Sequence, residues 1–401
     1  MPKYMRKALL ASVALAGFSL GSAAMAQDDV KIGVILGFTG PIESLTPDMA
    51  ASAELAMTEV TESGLLLGGA TVTPVRGDST CVDAAAATAA AERLITSDNV
   101  VAIVGADCSG VTTAIAESVA IPNGVVMVSP SATSPALTTI TDNGYFFRTA
   151  PSDARQGEIL ADVAMERGIE TVAITYTNND YGKGLADSFA AAYQAIGGTV
   201  AATAAHEDGK ADYSAEVAAL AASGADTLAV FGYLDQGGKG MIQTSLDTGA
   251  FSSFILGDGM IGQSLIDNIG DGLVGTVGTV PGSDSEGAAS FDVYARESGI
   301  EGDGPYRAES YDAAALIMLA MQAAGSADRA AIQAQIMNVA NAPGEPIGPG
   351  ELARGLQILA DGGEIDYVGA TNVELTDVGE AAGSYKELEV VGDSFTTIQV
   401  R

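Results

Sequence analysis

The chain has 401 residues, 47% of them hydrophobic and 17% charged, a balance that builds a buried core and excludes a disordered chain. Its formal charge is −33, from 51 acidic side chains against 18 Lys and Arg. Phosphate backbones and anionic membrane surfaces repel such a protein, which excludes nucleic acid as a partner. Acidity of this kind describes solvation and says nothing about fold.

Met1 to Lys7 carries Lys3, Arg6 and Lys7 and no acid, and Ala8 to Leu20 is small or apolar. Ala24-Met25-Ala26 then supplies an A-x-A cleavage site, which completes the order of a secretory signal peptide. The apolar run is too short and too rich in Ala, Gly and Ser for a membrane span of about 20 residues. Cleavage after Ala26 removes 26 of 401 residues and leaves 375, with three cations fewer and a charge of −36. At about 150 residues per domain, that length predicts two domains. Cys81 and Cys108 are the only cysteines, and an even number in an oxidising compartment favours one disulfide. The alternative is a buried or reactive thiol pair.

Along the chain, apolar β-rich runs alternate with helical patterns. Val30 to Phe38, Thr71 to Asp78, Val100 to Ala106 and Val125 to Pro130 read as strands. Between them, Thr46 to Ser63, Asp83 to Thr96 and Val111 to Ala120 have helical spacing. Continuous rather than alternating apolar character marks strands covered on both faces, as in a parallel sheet. The rhythm restarts after Tyr145-Phe146-Phe147. Helices are predicted over Asp153 to Arg167, Gly184 to Ile196 and Asp212 to Ser223. Strands alternate with them at Thr171 to Thr177, Thr199 to Ala205, Thr227 to Tyr233 and Phe254 to Leu256. After Gly275 to Pro281, helices cover Ser310 to Ala324, Ala327 to Asn341 and Gly350 to Ala360. A strand pair, Tyr385 to Val391 and Ser394 to Val400, turns at Gly392-Asp393 and ends the chain. Gly282 to Gly287 reads as an exposed loop. Two successive βαβ-built, doubly wound α/β units account for the pattern.

Catalytic residue types are scarce. His206 is the only histidine, in a polar stretch after a strand, and reads as a surface residue. One histidine builds no multi-histidine metal site, and no G-x-S-x-G elbow precedes a helix. Gly270 to Gly275 matches G-x-G-x-x-G, but it follows a helix and leads into a strand, the reverse of the dinucleotide fingerprint. No enzyme and no cofactor is expected.

What remains is a set of polar loops at the C-terminal ends of strands, where open α/β sheets bind ligands. Asp107-Cys108-Ser109-Gly110 precedes a helix, so it can hold a carboxylate or simply cap that helix with Ser109. Ser129 to Pro135 offers hydroxyls between two prolines, as a donor loop or a tight turn. Asn178 to Gly184 places Tyr181 after a strand, and Gly257-Asp258-Gly259 ends another.

Taken together, these motifs resemble the periplasmic substrate-binding proteins of branched-chain-amino-acid-type ABC transporters. The resemblance rests on KIGVILGFTGP, VGADCSG, SPSATSPAL, YFFRTAPSDARQG and NNDYGKGLADSF, and spans essentially the whole exported chain. It implies the type I periplasmic-binding fold, a disulfide between Cys81 and Cys108, and no cofactor. Ser109 and Thr133, with backbone N–H groups around Ser131 and Ala132, would take a ligand carboxylate. Asp258 would take the ligand ammonium, and Tyr181 and Tyr233 would close over it. Leu45 and Asp107 depart from the leucine-binding members, which have an aromatic and an apolar residue there. Asp107 near the side-chain end would suit a polar or cationic side chain, unless it points to solvent.

The implied lobes are 27–147 plus 280–369 and 148–279 plus 370–401, with crossovers near Phe147 to Thr149, Thr276 to Pro281 and Tyr367 to Asn372. The expected protein is a periplasmic monomer that delivers an amino acid to a membrane permease. Two rivals share the fold, a ligand sensor and a binder of a non-amino-acid carboxylate or amide.

Overall fold

The computed structural model describes residues 29–401, so the signal peptide and its cleavage site lie outside the described residues. The first sheet contains β1 (Asp29–Leu36), β2 (Thr71–Asp78), β3 (Ala102–Gly105), β4 (Val126–Ser129) and β5 (Phe146–Arg148). It is fully parallel, in the order β2-β1-β3-β4-β5. Every residue of β3 and β4 is buried, which is why their sequences read as unbroken apolar runs. The helix Thr46–Ser63 packs along Arg307–Ala324 on this sheet, and Ala84–Thr96 packs with Ser109–Ile115. The run Ser310 to Met321 inside Arg307–Ala324 is wholly buried, so that helix has no solvated stripe.

The second sheet contains β6 (Thr171–Thr177), β7 (Thr199–His206), β8 (Thr227–Phe231), β9 (Ser253–Leu256) and β10 (Val277–Pro281). A small parallel pair, β11 (Glu345–Ile347) with β12 (Ile365–Tyr367), stands apart. The chain then returns to the second sheet as β13 (Tyr385–Val391) and β14 (Ser394–Val400). The order is β14-β13-β10-β9-β8-β6-β7, parallel except that β13 runs antiparallel to both its neighbours, β10 and β14. Val277–Pro281, expected as a strand and the site of a crossover, is a strand paired on both sides, and the chain leaves the second sheet at its end. The chain passes between the sheets three times, after β5, after β10 and after β12.

Helix starts follow their caps. Asp83 accepts from the N–H groups of Ala85 and Ala86, so its helix begins one residue later than read. Asn179 accepts from Gly182 N at 3.0 Å and starts the next helix at Asp180, not Gly184. Two helices escaped the pattern, Gly237–Thr248 and Glu286–Glu297, the second beginning in the last two residues of the expected loop Gly282 to Gly287.

His206 is not at the surface. It is 1% exposed at the end of edge strand β7, with Nδ1 2.8 Å from Thr175 Oγ1 and Tyr213 set edge-on against its ring. Nε2 is buried with no partner. Desolvation lowers its pKa to about 4 from an ordinary 6.5. The folded pKa is depressed, so below pH 6.5 the unfolded chain takes a proton that the folded one refuses. Stability then falls as pH drops from about 6.5 towards 4, by up to about 3 kcal/mol. Urea unfolding of the protein and of His206→Asn across that range checks this. Their stability difference should shrink on acidification and stay flat above pH 7.

Candidate ligand cleft

The site is assembled from loops at the C-terminal ends of β1, β3, β4, β6, β8 and β9, as expected for open α/β sheets. After β3, Cys108 caps the helix Ser109–Ile115 with no side-chain bond, and Ser109 is its first residue. Ser109 Oγ accepts the N–H groups of Thr133 at 3.1 Å and Ser134 at 3.0 Å. A hydroxyl that accepts twice keeps its own proton to donate. Ser109 thus ties two loops together and still presents an O–H.

The loop Ser129 to Pro135 is held from beneath. Buried Arg148 donates through Nη1 to the carbonyls of Ala132 and Ser134, at 3.0 and 2.9 Å, and pairs with Glu380. Ala132 N–H is already spent on Ser129 Oγ at 3.0 Å, so it is no free donor. Ser131 Oγ donates to the carbonyl of Asp107 at 3.1 Å. Thr133 Oγ1 is buried without a partner.

Asp107 neither points to solvent nor offers a free carboxylate to a ligand. Its oxygens accept Gly37 N at 2.6 Å, Ser79 Oγ at 3.0 Å and Cys108 N at 2.9 Å. Burial raises its pKa while these three donors oppose the rise. It joins the ends of β1, β2 and β3. Beside it Cys81 and Cys108 form the disulfide.

Across the cleft, Asp258 follows β9 and is 2% exposed. Tyr181 donates to Oδ1 at 2.7 Å, and Tyr306 donates to Oδ2. Burial raises the Asp258 pKa, against the lowering effect of both phenols. Tyr181 also accepts Gly259 N at 2.9 Å and stacks on Tyr233 with ring centroids 5.2 Å apart. Asp153, the first residue of Asp153–Glu166, is fully buried with both carboxylate oxygens unpartnered. Its pKa is driven well up by burial and then by the charge of Asp258. Hydrogen bonds also span the cleft, from Ser44 N to Asp235 at 2.9 Å and from Ser134 Oγ to the carbonyl of Asp180 at 3.1 Å.

These groups line a small pocket between the loops, with about 20 Å³ open to the centre of a water-sized molecule. Ile42, Leu45 and Met49 make one end apolar. Asp107, Ser109 and Ser131 line one wall, and Tyr181, Tyr233 and Asp258 face them. Ala132 and Thr133 are buried but do not line the cavity. Tyr306, Ile42 and Met49 were missed in the sequence. Gly304-Pro305 before an apolar helical run was the available signal for Tyr306, which takes a left-handed φ of 65°. Among the described residues no group of three or more His, Cys, Asp or Glu side chains is placed to hold a metal ion.

Two α/β sheets crossed three times by the chain, with a small cavity between the loops of both, define a bilobal solute-binding protein. Residues 29–355 match the periplasmic binding protein family, and the chain belongs to it. It is 32% identical over 250 residues to a Leu/Ile/Val-binding protein homologue from Brucella melitensis, covering 62% of this chain and 66% of that one. A second homologue, from Brucella abortus, is 30% identical over 331 residues, 81% of this chain and 86% of that one. The crystal structure of a leucine-binding protein from Thermotoga maritima superposes with a TM-score of 0.77. It is 25% identical, over 92% of this chain and 98% of that one.

Proposed function

We propose that this protein traps an α-amino acid with an aliphatic side chain between its lobes and delivers it unchanged to the permease of an ABC importer. The observation that carries the reading is the polarity of the cavity. The free hydroxyl donor of Ser109 lies on one side, buried Asp258 lies on the other, and an apolar end is made by Ile42, Leu45 and Met49. A zwitterion needs donors at one end and an acceptor at the other, and a ligand that touches both lobes favours their closure. The Asp107 carboxylate is already satisfied, so it no longer argues for a cationic side chain.

The finer parts of this reading go with it. They are export to the periplasm as a monomer through a cleavable signal peptide, lobes of 27–147 plus 280–369 and 148–279 plus 370–401, and binding without catalysis. A thermal-shift screen of amino acids, their amides and short carboxylic acids tests it. Leucine, isoleucine or valine at about a thousandfold over Kd should add about 4 kcal/mol of stability. Stabilisation by acids lacking an amino group, with none by amino acids, would remove the assignment. Recovery of a chemically altered ligand would remove the non-catalytic reading.

A further inference from the structure

Beside the apolar end of the ligand cavity, one side chain of the second lobe grips a loop of the first. Asp235 lies in the turn after β8, before the helix Gly237–Thr248, and Pro41 to Leu45 is the loop that joins β1 to the helix Thr46–Ser63. Asp235 N donates to the carbonyl of Pro41 at 3.0 Å, and Ser44 N donates back to Asp235 Oδ2 at 2.9 Å. The other carboxylate oxygen accepts Ser264 Oγ at 2.7 Å, from the helix Gln263–Ile269 of its own lobe. All three are ordinary hydrogen-bond lengths.

The gripped loop carries Ile42 and Leu45 into the apolar end of the cavity, whereas Asp235 and Ser44 are not among the residues that line it. The loop is fixed to its own lobe, where Thr46 Oγ1 donates to the carbonyl of Gly37 at 3.2 Å and Leu45 N to that of Ile42 at 3.0 Å. Asp235 is fixed to the second lobe by Ser264, and its neighbour Leu234 donates through N to the carbonyl of Gly259 at 3.0 Å. The reciprocal pair therefore ties one lobe to the other. Leu45 also closes on the second lobe where Gly262 has no side chain: a Cβ added there would stand 3.1 Å from Leu45 Cδ2. Asp235 is half-buried and Ser44 exposed, so water takes over these bonds whenever the lobes part.

We propose that Asp235 is the latch of the closed form, a positioning residue that holds the lobes together through the Pro41 to Leu45 loop and slows release of a ligand it does not touch. Only the choice of probe rests on the amino-acid reading, since the latch lies outside the cavity. A contact made only when the lobes are closed shifts the balance towards closure by its own free energy, whatever the ligand. One net hydrogen bond of this kind is worth about two- to tenfold in affinity.

Chase of radiolabelled leucine from the loaded protein, with calorimetric Kd values for leucine and valine, tests it in Asp235→Ala and Asp235→Asn. In Asp235→Ala leucine should leave about fivefold faster, and both Kd values should rise by that same factor. Asp235→Asn should restore both, because its amide oxygen still accepts Ser44 N while its amide nitrogen donates to Ser264 Oγ. Release at the unaltered rate in Asp235→Ala overturns the proposal. So does a loss confined to one of the two amino acids, which would make Asp235 part of the pocket's shape, and so does a loss that Asn fails to restore. If leucine does not bind the unaltered protein, the amino-acid reading fails by itself and the latch is read without ligand. Small-angle X-ray scattering should then give Asp235→Ala a larger radius of gyration than the unaltered protein and Asp235→Asn, and three equal values overturn it.

Discussion

Replacing Asp258 with alanine is expected to weaken amino-acid binding at least about thirtyfold while leaving the ligand-free protein as stable as before. The carboxylate is 2% exposed, sits between the hydroxyls of Tyr181 and Tyr306, and has no cationic side chain among the cavity residues. Buried in that way it is poorly stabilised in the empty cleft, which is why its pKa is raised. An ammonium supplies the missing counter-charge. Removing the acid therefore strands the ligand cation in a desolvated site, at about 2 kcal/mol or more. The same removal relieves the empty protein of a buried carboxylate but leaves the hydroxyls of Tyr181 and Tyr306 without their acceptor, so the two effects offset and its melting temperature should change little. Calorimetry and thermal melts on Asp258→Ala read both halves. A melting temperature that falls with affinity would mean that Asp258 is a structural acid.

Breaking the Cys81–Cys108 bridge is expected to cost about 3–4 kcal/mol. The two residues are 27 apart in sequence, and closing a loop of that length limits the unfolded chain by about this amount. Both cysteines are buried beside groups that shape the cavity, since Cys108 N donates to Asp107 and Cys108 precedes Ser109. The Cys81→Ser, Cys108→Ser double variant should unfold at a urea midpoint lower by about 1 M, with a slope equal or greater because the freed loop lets the unfolded chain expand. An unchanged midpoint would show that the bridge contributes nothing net to stability.

Most of the scaffold was readable in the residues, most strongly at Ala102–Gly105 and Val126–Ser129, where burial on two faces leaves an unbroken apolar run. Thr71–Asp78, Thr171–Thr177 and both final strands appear where their apolar runs predicted, as does the helix Thr46–Ser63. The failures have local causes. Gly237–Thr248 has three glycines in its first four residues, a composition that argues against a helix until packing overrides it. Glu286–Glu297 begins in a Ser- and Gly-rich stretch, and its start is set by Ser285, whose side chain accepts Ala288 N at 3.1 Å. His206 was misplaced because its polar neighbours belong to the following loop, whereas its own ring packs under Tyr213. In the cleft, the resemblance supplied Ser109, Tyr181, Tyr233 and Asp258, all of which line the cavity. It could not show that the Asp107 carboxylate turns back onto Gly37, or that Ala132 N–H is spent on Ser129. The first joins residues 70 apart, which no spacing encodes, and the second is a local turn within the loop after β4 whose donor only the folded backbone reveals. Tyr306 comes from a loop far along the chain and reaches Asp258 only in the folded molecule.

The central claim is that the cavity recognises both charged ends of an amino acid. Isothermal titration with leucine and with 4-methylpentanoate, which keeps the carboxylate and side chain but lacks the ammonium, tests it most directly. Leucine should bind at one site per chain and 4-methylpentanoate at least about a hundredfold more weakly, as expected when a buried carboxylate loses its only cation. Equal affinities for the two would contradict the account, because Asp258 would then be doing nothing for recognition.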